Sequence, residues 1–70
     1  MPMLRKRSIN LAGHATSLAL EPEFWEALAD RAAIRRISLA ALIGEIDAGR
    51  GARPLASACR VAALEWAGEG

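Results

Sequence analysis

The sequence predicts a mainly α-helical chain with a short N-terminal β-ribbon, laid out as strand region, helix, helix, helix in one domain, with an intertwined homodimer as its working form. Three observations predict it. From Ser8 to Leu20 apolar and polar side chains alternate with the period of extended chain, with one interruption. Pro22 and Ser38 each open a stretch whose apolar residues recur at helical spacing. The chain has 70 residues, 53% of them hydrophobic. At that length a domain buries only about 60% of the surface its unfolded chain exposes, so a partner subunit is the expected source of further core.

Residues 1–7 read as a flexible basic arm, because Arg5, Lys6 and Arg7 are consecutive and no acid precedes Glu21. Residues 8–21 form the strand region. Ile9 and Leu11 fall on one side, with Ser8, Asn10 and Ala12 on the other. Gly13 interrupts the pattern, as a bulge or a bend does. Thr16, Leu18 and Leu20 then alternate with Ser17 and Ala19. The two pieces are compatible with a hairpin and with one long bulged strand. An isolated strand, or a bare two-stranded ribbon, is barely stable in water, so pairing with a second copy is expected.

The first helix is expected over residues 22–36. Pro22 has no N–H to leave unsatisfied at the first helical position, and Glu23 and Glu26 suit the positive pole of the dipole. Trp25, Leu28, Ala29 and Ala32 form its apolar face, opposite Glu23, Glu26, Asp30 and Arg31. The second helix is expected over residues 38–48. Ser38 is its N-cap, Ile37 and Leu42 stand where a hydrophobic staple forms, and Leu39, Leu42, Ile43 and Ile46 make its apolar stripe. Gly49, Gly51 and Pro54 then break the chain. A third helix is expected over residues 55–66, with Leu55, Cys59, Ala62 and Trp66 on one face.

Composition narrows the function. One cysteine and one histidine, Cys59 and His14, allow neither an internal disulfide nor a closed zinc site. No metal or cofactor is expected. No apolar run approaches the roughly 20 residues that span a bilayer, and no long apolar stretch follows the basic arm as in a secretory signal. A lone thiol fits a reducing cytoplasm, the expected location. No phosphate loop, metal spacing or catalytic Ser–His–acid set is present, and no catalytic residue is assigned. The acids Glu23, Glu26 and Asp30 read as a solvated helix face.

The run from Thr16 through Pro22 to Ile46, a strand, a proline, a helix, a cap and a helix, resembles the ribbon-helix-helix superfamily, the class of the Arc and Met repressors. The segments Arg5 to His14 and Leu55 to Val61 resemble a subfamily of short bacterial ribbon-helix-helix proteins. The resemblance implies a homodimeric, DNA-binding transcriptional regulator whose ribbon enters the major groove. It implies that Ala15, Ser17 and Ala19 face bases, since Thr16, Leu18 and Leu20 carry the core parity. It also implies a phosphate held at the start of the second helix, at Ser38, Leu39 and Ala40, flanked by Arg35 and Arg36, where free N–H groups and the dipole attract an anion. Arg5, Lys6 and Arg7 are further phosphate contacts. The dimer core expected from the pattern is Thr16, Leu18, Leu20, Trp25, Leu28, Leu42, Ile43 and Ile46.

A second reading stands beside this one. Ala15, Ser17 and Ala19 are short and make no bidentate base contact, and net charge is only +1. Both also fit a dimerisation or protein-interaction module, antitoxin-like, whose third helix clasps a protein partner.

Overall fold

The computed structural model describes residues 3–69. It holds two strands and three helices: β1 Arg5–Leu11, β2 His14–Leu20, α1 Pro22–Arg35, α2 Leu39–Gly49 and α3 Leu55–Gly68. The strands form an antiparallel hairpin within one chain, in register from Arg5 opposite Leu20 to Leu11 opposite His14. Ala12 and Gly13 are the two-residue loop. Both have positive φ, 51° and 83°, as in a type I′ turn, whose twist matches that of the strands it joins.

One feature differs from the sequence expectations. Arg5, Lys6 and Arg7 are not an arm but the first half of β1. Tertiary contacts order them: the Trp25 indole Nε1–H donates to the Arg5 carbonyl at 2.8 Å, and the Arg7 guanidinium lies over the Trp25 ring, 5.1 Å from its centroid. The other four expected arm residues differ in standing: Met3 and Leu4 are exposed chain ahead of β1, and residues 1–2 lie outside the described residues.

Leu18, Leu20, Trp25, Leu28, Leu42 and Ile43, expected to meet across a dimer, are buried in the core of a single chain, with Ile9, Ala32 and Cys59. Thr16 and Ile46 are half-buried. The hairpin supplies its own second strand, and α3 adds apolar cover. β1 packs on α2, β2 on α3, and the three helices pack on one another. α3 is tied down at its middle, where the Arg60 Nε–H donates to Glu21 at 2.9 Å.

The helix ends follow from local chemistry. α1 begins at Pro22 without a side-chain cap. It ends in a Schellman arrangement: Arg36 is left-handed at φ 57°, its N–H donates to Ala33 at 3.1 Å, and the Ile37 N–H reaches back to Ala32 at 3.0 Å. Ile37 is half-buried beside the core. Ser38 then caps α2, its hydroxyl accepting from the Ala41 N–H at 3.0 Å. α2 and α3 run one and two residues beyond their expected ends, and α1 stops one residue short, with Arg36 as its cap.

Candidate nucleic-acid interface

Strand parity divides the hairpin into two faces. Directly opposed residues share a face. The inner face pairs Arg5 with Leu20, Arg7 with Leu18, Ile9 with Thr16 and Leu11 with His14; the outer face pairs Lys6 with Ala19, Ser8 with Ser17 and Asn10 with Ala15. Ile9, Leu18 and Leu20 are buried, which fixes the inner face against the helices. A slip of one residue would exchange the two faces entirely, so the core sets what the ribbon presents to solvent.

Ala15, Ser17 and Ala19 therefore share the outer face, with Lys6, Ser8 and Asn10 beside them. These three from β1 are absent from the base-facing set expected from sequence. Lys6 appeared there only as a phosphate contact, and Ser8 and Asn10 not at all. The signal was the hairpin itself: once β1 pairs with β2, every second residue of β1 must join the outer face. The face carries one cation, an amide, two hydroxyls and two methyl groups, and no carboxylate.

Arg5 and Arg7 point the other way. They pair with the buried leucines and, with Lys6, Pro22, Trp25, Glu26 and Ala29, line an open cleft of about 850 Å³ between β1 and α1. Both are exposed, and the Arg7 guanidinium lies over the indole.

The start of α2 is the second candidate element. The Ala41 N–H is taken by Ser38, while Leu39 and Ala40, in the first turn, have no intrahelical acceptor for theirs. The two flanking arginines are unlike. Arg35 is held by Glu45 through two bonds, Nη1 to Oε1 at 2.6 Å and Nη2 to Oε2 at 3.1 Å. That hydrogen bond, then the opposite charge, holds the Glu45 carboxyl below the usual carboxylate range and raises Arg35. Arg36 is exposed and makes no salt bridge among the described residues. Of the pair, Arg36 is the one available to an anion.

His14 is exposed at the end of the turn. No cluster of three metal-ligating side chains occurs among the described residues, and none of their helices is long and apolar enough to cross a membrane. Cys59 is fully buried; burial pushes its thiol up to about 11. Trp25 and Trp66 are each covered by an arginine, Arg7 and Arg31, and neither ring stands free as a stacking platform.

A family model described as a ribbon-helix-helix domain matches residues 4–67, which take in the whole hairpin, α1 and α2 and nearly all of α3. No curated protein and no solved structure matches the chain significantly.

Proposed function

The chain belongs to the ribbon-helix-helix family, and on that premise we propose that it is a DNA-binding transcriptional regulator, a homodimer rather than an enzyme. One observation carries the reading. The ribbon's outer face is free of acids, and its Lys6, Ser8, Asn10 and Ser17 are hydrogen-bonding groups that suit base edges. A two-stranded ribbon is also a shape that the major groove admits.

The mechanism has two parts. Ribbon residues Lys6, Ser8, Asn10, Ala15, Ser17 and Ala19 meet base edges. Phosphates are held by the free N–H groups of Leu39 and Ala40 at the start of α2, with Arg36 beside them and Arg5 and Arg7 along the ribbon's side. Arg35 is left out of the phosphate set because Glu45 occupies it. Ser38 acts as the cap that holds the first turn in place.

The test is fluorescence anisotropy with the protein's own upstream region and a scrambled duplex at two salt concentrations. A specific regulator binds the native fragment more tightly at both. Affinity falls with salt in proportion to the phosphates neutralised, so Arg36→Ala weakens binding to both duplexes and flattens the salt slope. Absence of duplex binding at low salt would sink the reading.

The protein-interaction reading is favoured by a different surface. Ala27, Ile34, Ala63, Trp66 and Ala67 line a shallow groove between α1 and α3, and Ile34 is 72% exposed. If that reading holds, a stoichiometric protein partner copurifies from native cells and Ile34→Glu releases it.

A further inference from the structure

Resting on the DNA-binding reading, we propose that Trp25 of α1 is a positioning residue for phosphate contact: it holds Arg5 and Arg7 of β1 in place before DNA arrives. One side chain makes both holding contacts. The indole Nε1–H donates to the Arg5 carbonyl at 2.8 Å. The Arg7 guanidinium lies over the same ring, 5.1 Å from its centroid.

The hydrogen bond falls where the ribbon is weakest. Arg5 is the last residue of β1 with a partner on β2, opposite Leu20. Met3 and Leu4 beyond it are exposed, so nothing on β2 ties the chain down there, and chain ends of this kind fray. Trp25 is itself fixed, buried in the core with Leu20 and Leu28. An indole meets both demands, since its body is apolar and its N–H takes an acceptor when buried. A phenylalanine at this position would fill the core and leave the Arg5 carbonyl unheld.

What Trp25 holds is uncompensated charge. Arg5 and Arg7 are exposed, and neither forms a salt bridge among the described residues. Two residues apart on a strand, they stand about 7 Å from each other along it, close to the axial rise over two phosphates of one DNA strand at about 3.4 Å each. Cations on a loose arm lose conformational freedom when they meet phosphate, whereas cations ordered by folding have already lost it. Trp25 therefore acts on affinity through the two arginines without touching DNA. Phosphate contacts carry no sequence information, so its removal weakens every duplex alike.

The experiment measures anisotropy of the native and scrambled upstream duplexes with the full chain, with Trp25→Phe, with Trp25→Leu, with the double variant Arg5→Ala, Arg7→Ala, and with each Trp25 substitution placed in that double variant. Amide spectra of each protein establish that it is folded. Trp25→Phe is expected to weaken both duplexes about three-fold, and Trp25→Leu, which removes the ring as well, about ten-fold, with the ratio of native to scrambled affinity unchanged. In the double variant neither substitution weakens binding further, because the effect runs through the two arginines. Should Trp25→Leu fail to fold, Trp25→Phe carries the test alone. Wild-type affinity in Trp25→Phe overturns the proposal. The same loss persisting in the double variant also overturns it, since Trp25 would then act through the core. If the double variant binds as tightly as wild type, the arginines are not contacts, and the proposal falls while the DNA-binding reading stands. If the wild-type chain binds neither duplex at low salt, both fall.

Discussion

Ala12 holds a φ of 51° in a turn where asparagine followed by glycine is the preferred pair. A left-handed conformation costs an L-residue with a Cβ about 1–2 kcal/mol, and asparagine relieves part of that by local hydrogen bonding. Ala12→Asn is expected to stabilise the chain by about 0.5–1 kcal/mol, read as a higher urea midpoint at unchanged slope; a lower midpoint would contradict the turn assignment. Arg36 poses the same problem with a function attached. At φ 57° it holds the left-handed position that glycine fills at most such helix ends. Arg36→Gly is expected to raise stability by up to about 1 kcal/mol while weakening DNA binding and flattening its salt dependence. If stability rises and binding is untouched, Arg36 is not a phosphate contact.

Among the elements, the helices were readable because their punctuation is local. Pro22 and Ser38 act within a turn of where they stand, and the stripe Leu39, Leu42, Ile43, Ile46 needs no knowledge of its partner. The hairpin was only half readable. Its turn has alanine where the strong signal would be asparagine, so Ala12-Gly13 looks the same as a bulge. Arg5-Lys6-Arg7 shows no alternation of polarity, because the inner-face positions at that end are arginines, with the Arg7 guanidinium over Trp25, rather than aliphatic residues. The outer parity of Ala15, Ser17 and Ala19 was legible from β2 alone. The contribution of Lys6, Ser8 and Asn10 was not, because it depends on a pairing decided by the core.

Ion pairs tie these elements together and give them a pH dependence. Glu21 is lowered from 4.5 by its own backbone N–H and then by the hydrogen bond from Arg60, which joins α3 to the start of α1. Glu45 is lowered from 4.5 by the hydrogen bond from Arg35, which joins the end of α1 to α2. A depressed carboxyl adds stability above its unfolded value, lost as pH falls through the folded one. The chain is therefore expected to lose stability below pH 4.5, and the double variant Glu21→Gln, Glu45→Gln to lose less over the same range. Glu45 is exposed and Glu21 half-exposed to solvent, so the effect is small. Equal acid sensitivity in the two proteins would show that these pairs are not its source.

At the scale of the whole molecule, the main consequence is that one chain closes its own core. An obligate intertwined dimer has a stability inseparable from protomer concentration. Here Leu20, Leu28, Leu42, Ile43 and Cys59 are fully buried without a second copy. The thermal midpoint is expected to stay nearly constant over a hundred-fold dilution, whatever association the folded chains undergo. A midpoint that falls steeply on dilution would show that the fold needs its partner.

The account's central claim is that this outer face meets DNA, and titration of the ¹⁵N-labelled chain with its upstream duplex, followed by amide chemical shifts, tests it most directly. The prediction is a set of perturbed signals at Lys6, Ser8, Asn10, Ala15, Ser17 and Ala19, joined by Leu39 and Ala40 at the start of α2, with the amides of Ile34, Ala63 and Trp66 unmoved. Perturbations confined to the α1–α3 groove, with the hairpin signals unchanged, would contradict it.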